Sequence, residues 1–359
     1  GPAHDPTGFD EWAVLPDQGE YHDPEFLYPD GPRVIPGYAT DIITDLSLDW
    51  LERRDPSRPF ALMIHHKAPH RHWEPDAKHA HMYEDETIPE PHTMWDDLAT
   101  RSAAAAAARC HMMDLDEADL KAPVPPGLSE REEVSWRYQR YIKDYLRCVA
   151  SIDDNVGRVL DYLEANDLTD STVIVYTSDQ GFFLGDHGWF DKRFMYEESL
   201  AMPLLIRYPP EIAAGSASDD IVLNVDFAPT FLDLAGIPIP DDMQGSSFRE
   251  VLQGRTPADW QESMYYRYWM HRDKDHNIWA HYGVRTLRHK LIYFYNDPLG
   301  QPGAQGPSDP PEWELFDLDV DPFEVNNVYS DPTYADVVTE LTDELARLQA
   351  AVGDEPHRS

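Results

Sequence analysis

The sequence predicts an α/β protein with a mixed, mainly parallel sheet flanked by helices, followed by a small antiparallel sheet with one helix packed on it. Three observations predict it. Helices and strands alternate between about residues 131 and 235, which favours parallel strands joined by crossovers. After about residue 255 come short strand candidates at 263–268, 280–287, 289–295 and 313–317, with no crossover helix between them. One amphipathic helix, about 333–351, closes the chain. The expected division is therefore an α/β part over 1–255 and an α+β part over 256–359.

Each element has its own signal. Residues 1–35 are rich in Pro, Gly and Asp and read as irregular chain. Ile42, Ile43, Leu46, Leu48 and Leu51 recur at helical spacing, so 39–53 is a helix. Phe60-Ala61-Leu62-Met63-Ile64 is a continuous apolar run and reads as a buried strand. Residues 74–98 are loop-like, and Ala103 to Ala108 is helical by propensity. Tyr138, Tyr141, Tyr145, Val149, Ile152, Val156 and Leu160 share one face of a long helix over about 131–166. Residues 171–177 are β-branched and bounded by turn residues, the clearest strand in the chain. A second strand is expected at 203–208 and a helix at 227–235, with Pro229 in its first turn.

Composition narrows the class. A net charge of −38, with seven lysines against twenty-two arginines, describes a hydrated acidic surface of the kind that suits high salt. Nucleic acid is excluded as a partner, because a phosphate backbone needs a basic face. No window approaches a membrane span. Cys110 and Cys148, both in stretches that read as helix, are too few for a disulfide framework or a zinc cluster. The compartment stays open, with an extracellular or periplasmic setting slightly favoured.

Two polar clusters follow strand candidates, at the edge where open parallel sheets bind ligands. The first, His65-His66-Lys67-Ala68-Pro69-His70-Arg71-His72-Trp73, is a basic island in an acidic chain. It suits an anionic group, and a histidine there can protonate a leaving oxygen. The alternative is a solvated loop whose histidines cap the strand and pack on Trp73. The second runs from Ser178-Asp179-Gln180-Gly181 to Gly185-Asp186-His187-Gly188-Trp189-Phe190-Asp191-Lys192-Arg193. Asp179 and Gln180 offer a carboxylate and an amide oxygen, the donors of a hard cation, Ca²⁺ or Mg²⁺. Two ligands do not complete such a site, and Asp179 taken alone reads first as an ordinary turn or N-cap residue after a strand. Lys192 is a point charge suited to an anionic oxygen.

The string from Tyr176-Thr177-Ser178-Asp179-Gln180-Gly181 through Asp191-Lys192-Arg193 resembles the second metal-binding stretch of formylglycine-dependent sulfatases, of the alkaline-phosphatase-like superfamily. Lys67-Ala68-Pro69-His70 looks like their substrate-facing His loop. The resemblance continues through Met202 to Arg207, Asp226-Phe227-Ala228-Pro229-Thr230, Gln244-Gly245-Ser246-Ser247, Tyr282-Gly283-Val284-Arg285-Thr286 and Glu314-Leu315-Phe316-Asp317-Leu318. It implies an alkaline-phosphatase-like fold, Ca²⁺ on Asp179 and Gln180, sulfate contact by Lys192, and a substrate-facing His70 that assists departure of the alcohol. It places Lys67, Arg193 and His281 toward the substrate, and leaves His187 as substrate-facing or structural. The implied substrate is a sulfated carbohydrate. A phosphodiesterase or phosphonate monoester hydrolase of the same superfamily, or a non-catalytic Ca²⁺-dependent glycan-binding relative, are the alternatives.

The sequence departs from the family in one respect. The family's nucleophile is a cysteine in Cys-x-Pro/Ala-x-Arg, oxidised to formylglycine, and neither Cys110 nor Cys148 stands in that motif. The paired aspartates of the first metal stretch are absent as well. In the family they precede the Gly-Phe-Asp-x-Trp element, here Gly8 to Trp12. The expectation is a sulfatase portion whose formylglycine belongs to a missing upstream segment or a separate chain, with negligible activity alone.

Overall fold

A computed structural model describes residues 5–354. In chain order its elements are strands β1 (Glu25–Tyr28) and β2 (Gly31–Val34), helices α1 (Ala39–Arg53), α2 (Ala103–Ala107), α3 (Glu117–Leu120) and α4 (Glu130–Ala165), strands β3 (Ile174–Thr177), β4 (Phe183–Leu184) and β5 (Phe190–Asp191), helix α5 (Glu197–Leu200), strand β6 (Leu204–Arg207), helices α6 (Phe227–Leu234) and α7 (Arg249–Leu252), strands β7 (Ser263–Tyr268), β8 (His281–Thr286), β9 (His289–Phe294) and β10 (Glu312–Asp317), and helix α8 (Ala335–Val352). They form two compact units, 1–90 with 115–171, and 91–114 with 172–359. The boundary expected near 255 falls inside the second unit, between α7 and β7.

In the first unit α1 packs along α4. Ser129 and Glu132 close a reciprocal capping box at the start of α4, satisfying amides that the helix cannot. The apolar stripe of α4 buries Tyr138, Tyr141, Ile142, Cys148 and Ile152. Trp73 lies fully buried, edge-on to Tyr141 at 4.6 Å. Phe26, Ile42 and Ile43 form a second small core where β1 meets α1.

In the second unit β10, β9, β8 and β7 form an antiparallel sheet in that order. Side chains alternate across a strand, so each face has its own set. Tyr282, Val284, Leu291, Tyr293 and Leu315 pack with Leu341 and Leu345 of α8. The opposite face carries His281, Lys290, Phe294, Glu314 and Phe316, and segment 194–197 lies on it. Phe194 packs on His281 and Phe294, and Tyr196 on Phe316. The Tyr196 hydroxyl donates to Glu314 Oε2 at 2.8 Å. A Cβ at position 283 would collide with Leu291 and Met195, so Gly283 is what lets this segment lie so close.

Four sequence expectations are corrected. Residues 60–64 form no strand among the described residues, since a ladder needs a neighbour and none pairs with them; Met63 is exposed. Residues 1–35 are not wholly irregular: Glu25–Tyr28 and Gly31–Val34 pair as a hairpin, which the Pro and Asp of its own turn disguised. Cys110 lies outside any helix, its carbonyl accepting from Phe190 N at 2.7 Å. The mainly parallel pairing is not seen among the described residues, where β3 and β6 pair antiparallel. Alternation along the chain specifies neither which strands are adjacent nor their direction. The mixed α/β class with its small C-terminal sheet and packed helix stands as expected.

Candidate active site

The second polar cluster forms a single loop system in the second unit. Asp179 and Gln180 follow directly on β3. The Asp179 carboxylate is exposed and accepts from Gln180 N at 3.2 Å and Ser178 Oγ at 3.3 Å. The Gln180 carboxamide has no hydrogen bond among the described residues, and neither side chain is in an ion pair. Both oxygens thus remain available, and as hard donors they fit Ca²⁺ or Mg²⁺. At the next residue, a Cβ would fall on the Glu198 carbonyl oxygen. Only Gly181 allows its own N–H to reach Ser199 O at 2.8 Å.

The chain then turns back through the β4–β5 hairpin to Lys192 and Arg193. His187, Asp191 and Arg193 adopt φ of 54°, 73° and 96°. Three non-glycine residues in the left-handed region within seven positions is a strained arrangement that the surroundings must impose. Asp191 Oδ1 accepts from Lys192 N at 2.7 Å and from the Arg193 guanidinium. The Lys192 amine makes no hydrogen bond or ion pair among the described residues, and lies 5.5 Å from the Phe182 ring centre. Burial pulls its pKa below the usual lysine value, the Asp191 and Asp179 carboxylates only partly opposing this. A half-buried cation lacking a close counter-ion, beside a carboxylate with open coordination, is an arrangement that favours an anion.

His187, within this loop system, and His281 of β8 are both buried. His187 is 1 % exposed, ringed by Phe183, Trp189 and Tyr196, with Nδ1 3.0 Å from Asp96 Oδ2. Its Nε2 faces Glu198 Oε2 at 3.9 Å. His281 is buried among Tyr266, Tyr268, Phe194 and Phe294, with Nδ1 on Trp279 O at 2.8 Å. Burial pushes its pKa down to about 4. Sequence reasoning missed Asp96 and Glu198, which carry no local motif.

The basic island lies in the first unit. Tyr21 donates its hydroxyl to His70 O at 2.6 Å, fixing the loop. His70 Nδ1 is 2.9 Å from Arg71 O. A carbonyl only accepts, so Nδ1 is the nitrogen that holds a proton in this contact. Lys67 donates to Gln18 O at 3.0 Å and Arg71 O at 3.3 Å, over the Tyr21 ring. Burial lowers its pKa. Arg71 is committed to Asp119 through two 2.6 Å bonds, so its charge serves the fold.

Residues 5–237 match the family model described as sulfatase, and residues 185–351 that of N-sulphoglucosamine sulphohydrolase, C-terminal. The chain belongs to the sulfatase family. It is 42 % identical over 398 aligned residues to an N-acetylglucosamine-6-O-sulfatase of Bacteroides thetaiotaomicron, covering 98 % of this chain and 69 % of the relative. It is 27 % identical to an arylsulfatase of Clostridium perfringens, covering 85 % of this chain and 56 % of that one. Among solved structures it superposes, with a TM-score of 0.91 and 41 % identity, on a protein in complex with its substrate D-glucosamine-2-N,6-O-disulfate, covering 97 % of this chain and 77 % of that one. This sulfatase chain therefore spans roughly half to three quarters of the length of these relatives.

The two cysteines bear on the family's chemistry. Both are free and buried, and burial pushes the Cys148 thiol up to about 12 and raises that of Cys110 well above its usual value. A thiol held protonated and inaccessible is a poor nucleophile.

Proposed function

We propose that this chain recognises the sulfate ester of a sulfated glycan, with a 6-O-sulfated glucosamine as substrate, and that Lys192 contacts the sulfate. The observation that carries the reading is the Lys192 amine, half-buried and without a close counter-ion, on a strained loop beside Asp179 and Gln180. The 42 % identity to an N-acetylglucosamine-6-O-sulfatase and the 41 % identity to the substrate-bound structure support the choice of sugar.

The residues divide the work by their chemistry. Lys192 neutralises the anionic oxygens, an interaction that strengthens as water is excluded. A Ca²⁺ or Mg²⁺ held in part by Asp179 and Gln180 would supply Lewis-acid stabilisation to the same oxygens. His70 is the proton donor to the departing alcohol. Lys67 and Arg193 help orient the substrate. His187 and His281 act in this reading by holding the surrounding loops.

Neither Cys110 nor Cys148 is an accessible thiolate, so in this reading the chain by itself binds sulfated sugar and does not turn it over. The test uses the full chain with 6-O-sulfated N-acetylglucosamine in calcium-containing buffer. Calorimetric binding that Lys192→Ala abolishes, with no release of sulfate, is the expected result. Binding unaffected by Lys192→Ala overturns the sulfate role. Sulfate release by the pure chain, abolished by His70→Ala, overturns the statement about the nucleophile.

A further inference from the structure

The strained Lys192 loop raises the question of what holds Asp191 in place. Asp191 is buried, and one of its oxygens is occupied by Lys192 N and the Arg193 guanidinium. Its other oxygen, Oδ2, lies 3.1 Å from His276 Nε2, an ion-pair contact from a turn more than eighty residues away in the chain. His276 is itself buried, and its Nδ1 lies 3.2 Å from Asp273 Oδ1. Asp273 is fixed in turn. It accepts from His276 N at 2.9 Å, Ile278 N at 3.1 Å and the Tyr268 hydroxyl of β7 at 3.1 Å. The His276 carbonyl accepts from Arg109 N at 2.6 Å, which ties the turn to the strand-like stretch beside Cys110.

We propose that His276, sandwiched between Asp191 and Asp273, is a positioning residue for sulfate recognition, acting through Asp191 to hold Lys192 and Arg193 in their strained conformation. The inference rests on the reading of Lys192 as the sulfate contact.

His276 faces a carboxylate from each ring nitrogen, Asp191 at 3.1 Å and Asp273 at 3.2 Å, and two negative neighbours favour the imidazolium. Burial by itself would lower the pKa of His276, but Asp191 and Asp273 outweigh it and raise it above the usual value. Burial would likewise raise Asp191, yet His276 and Arg193 hold it well below the usual carboxylate range. The groups facing this cluster are Arg193 and Lys192 from the loop, Tyr268 from β7, and the buried Cys110 thiol, whose pKa Asp191 and Asp273 help to raise. When His276 loses its proton, the positive charge facing Asp191 Oδ2 is lost, and Asp191 keeps only its Arg193 and Lys192 partners. A carboxylate released on one side can rotate, and the left-handed conformation at Asp191 and Arg193 then has less to enforce it.

The sign follows. His276 stabilises this arrangement below its unfolded pKa, and the contribution is lost as pH rises through its raised folded pKa. Sulfate affinity should fall over that window.

The experiment titrates the full chain with inorganic sulfate in calcium-containing buffer, followed by NMR across the pH range, for wild type, Lys192→Ala, His276→Gln and Asp273→Asn. In wild type the affinity falls as His276 titrates. His276→Gln weakens sulfate binding by about tenfold on the acid side and removes that pH step, in the range usual for coupling between sites. Asp273→Asn keeps the imidazole but moves the step to lower pH, a response that a merely space-filling histidine would not produce. It also serves as the second variant if His276→Gln folds poorly. Sulfate binding that requires Lys192 yet keeps its affinity and pH profile in His276→Gln and Asp273→Asn overturns the inference alone. Binding indifferent to Lys192→Ala overturns the inference together with the reading it rests on.

Discussion

Lys290→Met should destabilise the second unit by about 3–5 kcal/mol, because it breaks a buried ion pair from one side. Lys290 is 0 % exposed, and its amine lies 2.7 Å from Glu324 and 2.8 Å from Glu197. Glu197 would keep Arg285 at 2.9 Å, so most of the loss falls on Glu324, which is 1 % exposed and would retain only the Glu197 amide. Burial already raises the Glu324 pKa, with Lys290 opposing. Without Lys290 the carboxyl takes up a proton more readily, so the deficit should shrink as pH falls. A carboxyl raised on folding contributes stability at low pH that is lost as pH rises through its folded pKa. Urea unfolding of wild type and variant at about pH 5 and about pH 8 measures both effects. The consequence reaches the candidate site, since Glu197 opens the segment whose Ser199 receives Gly181 N and Arg193 N. A loss below about 1 kcal/mol at the higher pH, the value of an exposed pair, refutes the reasoning.

Three further outcomes are expected. Burial pushes Glu198 up to about 7, so its folded form favours the proton; stability is lost as pH rises from about 4.5 toward 7, by about 3 kcal/mol in all. Glu198→Gln should flatten that part of the pH–stability profile, and an unchanged difference curve from chemical denaturation would contradict it. Gly181→Ala drives a methyl into the Glu198 carbonyl and should cost about 1–3 kcal/mol, with weakened Ca²⁺ binding by calorimetry because Gln180 is displaced. Cys110 and Cys148 should react with a thiol reagent only on unfolding, so two thiols appear with the denaturation transition and none before it.

The sequence was most legible where the chemistry is local. The helices at 39–53 and 131–166, the four C-terminal strands and the closing helix emerged within a few residues of Ala39–Arg53, Glu130–Ala165, β7 to β10 and Ala335–Val352. Periodicity of 3.6 or 2 is set by which face meets the core, and it is written residue by residue. The family was also legible, and the loop proposed as the site could be picked out because Asp179, Gln180, Lys192 and Arg193 fall in one short stretch. Strand pairing was not. Phe60 to Ile64 has strand composition without a partner, and β3 with β6 has the opposite sense to the one that alternation suggested.

By itself, then, the sequence determined the family, the long helices, the four C-terminal strands and the residue types of the candidate site. Tertiary structure decided which of them are available to a ligand. It buried His187 and His281 in aromatic shells, committed Arg71 to Asp119, and left the Lys192 amine without a close counter-ion. It also brought Asp191, His276 and Asp273 together across more than eighty residues. Such contacts depend on chain path and packing, and desolvation and charge pairing act through space, so no local pattern in a sequence encodes them.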